Sequence, residues 1–342
     1  MFGKRIGVDL GTANVQIYVH GKGIVIAEPS VVAVAQRDNS IVAVGNEARE
    51  MLGRTPSAIQ VIRPMRDGVI ADYLTTEAML RHFIGRLTGR VSVIRPEVMI
   101  SAPAGVTGVE QRAVQDACEA AGARRPAHVI PEPLAAAIGA RIPIDSPQGH
   151  MIVDIGAGRT EAAIISMYGI VVSESVRVAG DRLDDAITAY LKRHHNLIVG
   201  ERTAEELKIA IGSALPIEEE LTYDVRGRDQ VSGLPRTITV TSTDVWQAIK
   251  DSLQSIVGAI HSVLQRTPPE LASDVVDRGI VLTGGSALLR NMDRLITQEA
   301  GIPCYIADAP MECVAIGAGI ALDHLDLIQR AQPPNGEWLA NY

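Results

Sequence analysis

The sequence predicts an α/β protein of two similar lobes, each a mixed β-sheet flanked by helices with a smaller peripheral subdomain. Three observations carry this. The 342 residues suit two domains, each able to bury a core. Short apolar strand runs alternate with segments of helical spacing. And Val8-Asp9-Leu10-Gly11 recurs as Val153-Asp154-Ile155-Gly156, about half a chain later, which means two like halves rather than a solenoid of short periods.

The first element is a hairpin over residues 6–19: an apolar run, Asp9, a turn of Gly11, Thr12, Ala13 and Asn14, then an alternating strand. Residues 151–165 repeat it, with Asp154 delivered to a turn of Gly156, Ala157, Gly158 and Arg159. Glycines let successive backbone N–H groups approach an anion closely. The carboxylates cannot themselves hold a phosphate, but they suit Mg²⁺, which takes oxygen ligands and keeps several waters. One such hairpin alone is more simply a turn fixed by its Asp. Two, one per half, suggest a nucleotide in the cleft between the lobes, with a metal between Asp9 and Asp154.

After the first hairpin, residues 24–34 and 41–44 read as short strands, 46–52 as a brief helix, and 61–73 as a Pro/Gly-punctuated connection into a helix over 75–87. Residues 98–101 form a buried strand. Thr107 caps the next helix, with Glu110 as its capping-box partner and Gly122 as its stop. A strand at 129–130 leads into Pro131-Glu132-Pro133 and a small-residue helix that can pack close to a neighbour. Glu132 stands in its first turn, where the helix dipole favours a carboxylate; that alone leaves a plain helix-start charge equally open. Residues 141–149 link the halves. In the second half a helix runs from Gly180-Asp181 to His195, and His194-His195 is a solvated helix end rather than a metal pair. Thr203 with Glu206 reads as another capping box. Residues 217–240 are polar and β-prone, 244–264 a long amphipathic helix. Residues 280–282 enter Thr283-Gly284-Gly285-Ser286, with a helix from about Ala287 offering a third anion or ribose site. The first lobe is thus expected over 1–142, with 31–73 its smaller subdomain and a C-terminal helix at 314–330 completing it. The second is expected over 143–313, with 181–243 its smaller subdomain, and 331–342 as a loose tail.

The net charge of −8 and pI near 5.5 argue against nucleic acid held by bulk electrostatics. Cys118, Cys304 and Cys313 form no CxxC pair and fit packing roles in a reducing compartment. No apolar run reaches the ~18 residues of a membrane span, and no secretory signal is visible.

These motifs resemble the actin, sugar-kinase and heat-shock-chaperone ATPase superfamily, and within it the MreB family of bacterial actins, from Ile6 to about Leu327. IGVDLGTAN and VDIGAGRTE resemble the two phosphate loops, PEPLAAAIGA the connecting helix, GERTAEELKIAIG the adenosine-contacting helix and TGGSALL the adenosine loop; RPMRDGVIADY and RTPPELASDVVDRGIVLTGG separate the MreB family from its relatives. The resemblance implies an actin-like ATPase fold with ATP and Mg²⁺ in the cleft. It implies that Asp9 and Asp154 organise the metal through water. Gly11, Thr12, Ala13, Asn14, Gly156, Ala157 and Gly158 face the phosphates, Glu205 and Lys208 flank the nucleoside, and Gly284, Gly285, Ser286 and Ala287 carry the nucleoside on backbone. Glu132 matches the residue that positions or deprotonates the attacking water, which is chemically sufficient for phosphoryl transfer. The function implied is a cytoplasmic filament that organises cell-wall elongation and rod shape, with cell-wall and membrane-anchoring proteins as partners. The other class in view is a monomeric ATP-dependent small-molecule kinase or a chaperone-like ATPase, but no base beyond Glu132 is available for an acceptor hydroxyl.

The chain departs from the family pattern in places. Pro131-Glu132 keeps one of two acids, Ala157 replaces a glycine, and Arg159 stands at a threonine position associated with hydrolysis. Arg159 could serve as a built-in arginine finger, could pair with Glu132 or displace the water and so slow hydrolysis, or could face solvent; slow hydrolysis is the preferred reading. Peripheral contact with the inner face of the cytoplasmic membrane is expected through Met1 and Phe2 or through Val93 and Ile94, which are flanked by arginines, the alternative being a plain loop entering a strand.

Overall fold

The computed structural model describes residues 4–88 and 94–331. Two five-stranded sheets share one topology. In the first, Arg5–Leu10, Asn14–Val19 and Gly23–Pro29 form an antiparallel meander, and on its other side Arg5–Leu10 pairs in parallel with Glu97–Ala102, which pairs in parallel with His128–Pro131. In the second, His150–Ile155, Thr160–Ser166 and Gly169–Val176 form the meander, and Ile280–Thr283 and Cys304–Ile306 the parallel extension. The four-residue repeat in the sequence is therefore a repeat of a whole sheet. Both central strands are apolar on each face because helices cover both sides.

Each lobe carries a small sheet. Val32–Ala35 lies between Ile41–Val44 and Ile59–Ile62 in the first; Leu197–Ile198, Thr222–Asp229 and Pro235–Thr241 make the second. The run expected over 24–34 thus splits at Pro29, one part joining the main sheet and the other the small one. Thr107 and Glu110 form the expected capping box, with the Thr107 N–H donating to Glu110 at 2.8 Å.

The lobes meet where helix Glu132–Gly139 crosses helix Cys313–Ala321. A Cβ on Gly317 would lie 1.8 Å from the Ala135 carbonyl oxygen, and one on Gly139 would lie 1.9 Å from that of Cys313. Only hydrogen fits at either position, so two backbones touch, as the Ala/Gly composition of 135–140 foreshadows. The core around this crossing draws Met99 and Ile130 from the first sheet and Ile152 and Ile165 from the second.

Four elements differ from expectation. The helix read as starting at Thr203 starts at Glu201, because Gly200 caps it and Glu206 is taken by Arg202 at 2.8 Å; the Thr203–Glu206 box does not form. The C-terminal helix expected over 314–330 is two, Cys313–Ala321 and Leu325–Ala331. Arg5 donates to the Leu322 carbonyl and pairs with Asp323, giving the first of them a charged stop that no local pattern shows. After Thr283-Gly284 comes a 3₁₀ turn, Gly285–Leu288, and the α-helix begins only at Met292. Residues 61–73 contain a hairpin, Met65–Arg66 with Val69–Ile70, whose turn residues Asp67 (φ +49°) and Gly68 (φ +78°) are both left-handed. Asp-Gly is the pair such a two-residue turn selects.

Met1, Phe2 and Val93 lie outside the described residues, as does the tail from 332. Ile94 is 46% exposed. Among the described residues, no helix is long and apolar enough to cross a membrane.

Candidate functional site

Each lobe's central strand ends in an acid at the cleft floor. Asp9 accepts from the Ser101 hydroxyl at 3.2 Å, and Asp154 accepts from the Thr283 hydroxyl at 2.7 Å, each partner standing on the parallel strand beside it. The turns that follow are built differently. Ser30 braces the first from behind, its N–H on the Ala13 carbonyl (2.8 Å) and its hydroxyl on that of Gly11 (2.7 Å). The second closes on itself through the Gly156 N–H and the Arg159 carbonyl (3.0 Å).

The two turns touch. A Cβ on Gly158 would lie 2.7 Å from the Thr12 hydroxyl oxygen and 3.0 Å from the Asp67 Cα, so the glycine is what allows the approach. Thr12 in turn accepts from the Gly68 N–H at 2.9 Å, leaving its own proton free to donate.

Four carboxylates converge here: Asp9, Asp154, Glu132 and Glu161. Burial, then the Asp154 charge, raises Asp9 to about 7, against the Ser101 hydrogen bond. Burial raises Asp154 to about 6, opposed by Thr283. Glu132 is pushed well above the carboxylate range by burial, then by Glu161, Asp9 and Asp154, with Arg159 pulling the other way. Burial raises Glu161 to about 7, opposed first by Arg159 and then by hydrogen bonds from the Ala104 N–H and Ser175. Acids that raise one another in this way create demand for a cation. Among the described residues, no three His, Cys, Asp or Glu side chains could by themselves hold a metal ion. Mg²⁺ takes oxygen ligands and keeps several of its waters, which is the chemistry carboxylates such as Asp9 and Asp154 offer.

Sequence reasoning passed over Glu161. It is 1% exposed, stands opposite Asp154 across the second hairpin, and takes the Ala104 N–H of the other lobe on both oxygens (3.0 and 3.2 Å). The available signal was a lone acid in the otherwise apolar strand TEAAII. Arg159 lies near these acids, yet its own donors go elsewhere: Nε and Nη2 to the Asp67 carbonyl (3.0 and 2.9 Å), Nη1 to the Ser175 hydroxyl (2.9 Å). Half-buried, it is held by these three hydrogen bonds rather than paired with Glu132.

A second group of residues adjoins the back of the second turn. The Gly156 carbonyl accepts from Ser286 (2.6 Å), and the Ala157 carbonyl from the Asp181 N–H (2.8 Å). Lys208 is tied to Asp184 (2.9 Å) and to the Gly180 carbonyl (3.1 Å). Gly284, at φ +86°, would set a Cβ 2.3 Å from the Ile155 carbonyl oxygen, so the loop lies directly on the second hairpin. Ala287 is buried, Gly285 is open, and a four-residue 3₁₀ turn there supplies no helix N-terminus for an anion. Glu205, one turn before Lys208 on the same helix and near enough for its charge to act on Asp184, pairs with Arg49 of the first lobe at 2.9 Å, beside an Arg63–Glu201 pair at 3.1 Å.

Comparison with known proteins agrees with this architecture. The family model described as MreB/Mbl protein matches residues 3–330. The cell shape-determining protein Mbl of Bacillus subtilis (strain 168) is 49% identical over 330 residues, 96% of this chain and 99% of the relative. The cell shape-determining protein MreB of Escherichia coli (strain K12) is 50% identical over 333 residues, 96% and 95% of the two chains. Among solved structures, MreB5 of Spiroplasma citri is similar in its ADP-bound form at TM-score 0.89 and 38% identity, covering 94% of this chain and 97% of that one. Its AMPPNP-bound form gives TM-score 0.90 at 37% identity, covering 95% and 98%. With the repeated sheet, the touching hairpins and half of its residues shared, the chain belongs to the MreB/Mbl family.

Proposed function

We propose that the chain binds ATP with Mg²⁺ between its lobes and assembles head to tail into filaments that support rod-shaped growth. The observation that carries this is the pair of acid-bearing hairpins in contact at the cleft floor. Relatives described as cell shape-determining, and a relative bound to ADP and to AMPPNP, support the same reading.

The bound cation would supply charge neutralisation for the acids and the phosphates. Asp9 and Asp154, held by Ser101 and Thr283, would hold it through its water shell. Thr12 and the N–H groups of both turns donate to phosphate oxygens. Glu132, at the first turn of the connecting helix, takes the proton of an in-line water once neighbouring negative charge is compensated. Arg159 spends its donors on Asp67 and Ser175, so a finger role would require breaking three hydrogen bonds. That favours slow hydrolysis. Lys208, Glu205, Gly284, Gly285, Ser286 and Ala287 form the nucleoside side of the proposal, in which Glu205 must exchange Arg49 for the ribose. Head-to-tail contacts are heterologous and propagate rather than close, which makes a filament the expected assembly. Lipid contact at Ile94 and its neighbours, and cell-wall partners, are further parts of this reading.

Sedimentation with ATP and Mg²⁺, followed for phosphate release, tests it. The protein should pellet with ATP–Mg²⁺ and release phosphate slowly, and Arg159→Thr should release it about tenfold faster, the scale of one hydrogen-bonded charged group. A protein that stays in the supernatant and phosphorylates a small hydroxyl compound would favour the kinase alternative. A wild type faster than Arg159→Thr would overturn the assignment of Arg159.

A further inference from the structure

The Asp67-Gly68 turn is pinned from both lobes at once. On its own side it is anchored by Met65, 2% exposed in the first-lobe core, and by the Gly68 N–H on Thr12. From the other side comes Arg159, whose Nε and Nη2 both reach the Asp67 carbonyl while Nη1 is held by Ser175 on the next strand of the second lobe. A Cβ on Gly68 would meet Arg159 Nε at 3.2 Å and Pro103 at 2.9 Å, so the guanidinium lies flush on the turn. We propose that Arg159 is a latch that holds the two lobes closed through protein atoms alone, whatever occupies the cleft.

Cross-lobe contacts differ in the load they can bear. The mouth pairs Arg49–Glu205 and Arg63–Glu201 are largely exposed, with side chains between 39% and 67% accessible, and exposed ion pairs are screened and weak. Arg159 is different. A planar guanidinium set by Ser175 presents two donors to one carbonyl, losing little freedom in doing so. A short side chain at position 159 could not span the gap. In a cleft held only through phosphates and metal, the lobes part when the nucleotide leaves. Here the donor, the acceptor and the anchor are all part of the chain, and the Glu161–Ala104 contact lies two residues further along it.

This inference rests on the proposed nucleotide cleft for its consequence, but not for its test. Spin labels at Glu47→Cys and Glu206→Cys, both exposed positions on the two small subdomains, report the width of the mouth; the native cysteines are all buried. Nucleotide-stripped wild type should give one narrow distance distribution, unchanged by AMPPNP–Mg²⁺. Stripped Arg159→Ala should give a longer and broader one, with the open-to-closed ratio raised roughly tenfold, and AMPPNP–Mg²⁺ should close it again. Arg159→Lys, with a point charge in place of a fork, should fall between. A stripped wild type as open as Arg159→Ala would overturn the latch, as would an Arg159→Ala as closed as wild type. If Arg159→Ala fails to fold, Ser175→Ala should broaden the stripped distribution, and a distribution identical to wild type would overturn the latch. If AMPPNP–Mg²⁺ moves neither protein while the stripped forms differ, the latch stands and the nucleotide assignment fails.

Discussion

Asp154→Asn should melt higher than wild type without nucleotide and bind ATP–Mg²⁺ far more weakly. Both effects have the same origin. Asp154 is 7% exposed and its carboxyl is raised from 3.8 to about 6. The folded protein therefore holds a proton that the unfolded chain has released between those values, and stability falls as pH rises through that window. Two pH units correspond to about 3 kcal/mol at the upper end. Asparagine keeps an oxygen for the Thr283 hydroxyl, cannot titrate, and relieves Asp9, for which the Asp154 charge is the second cause of its rise. Nucleotide-free wild type should thus lose stability from about pH 4 to about pH 7, and the variant should lose less. Affinity for ATP–Mg²⁺ should drop about 10–100-fold, the cost of removing a carboxylate that acts through the metal's outer shell. Thermal melts across pH, with and without ATP–Mg²⁺, read both. A variant that melts lower than wild type at pH 8 would contradict the electrostatic account.

Gly317→Val should destabilise the fold severely. Its Cβ would stand 1.8 Å from the Ala135 carbonyl and 2.8 Å from the Gly139 backbone nitrogen, and neither helix can yield by rotating a side chain. The helices would have to separate, opening a core that draws from both sheets. Overpacking against backbone lies at the upper end of its range, at least about 4 kcal/mol. A melting temperature lower by roughly 5 °C or more follows for a chain of this length. Val276→Ala, at a residue 57% exposed on a surface helix, is the control and should change little. A Gly317→Val protein as stable as wild type would mean that the helices do not cross here.

The parts of this architecture that sequence reveals are those written in local spacing. Asp9 and Asp154 were visible because a four-residue pattern occurs twice, and the Thr107 cap because its partner stands three residues on. The close helix crossing followed from a run of small residues. What remained hidden depended on partners far away in the chain. Arg5 ends a helix more than 300 residues later by reaching Leu322 and Asp323. Glu206 looked like a cap for Thr203 but is taken by Arg202. Glu161 sits within a phosphate-loop motif and has no local signature as a site acid, since only the folded hairpin sets it opposite Asp154 and within reach of the Ala104 N–H. Arg159 was flagged by its departure from pattern, yet its acceptor, a main-chain carbonyl in a hairpin read as a connection, has no side-chain signature at all.

One cation with one triphosphate should be held between Asp9 and Asp154. A crystal grown with AMPPNP and Mn²⁺, measured at the manganese absorption edge, tests it most directly. The expected map shows a single anomalous peak at the phosphates with both carboxylates in its water shell. A peak bound by one lobe alone, or nucleotide density away from the two hairpins, would contradict it.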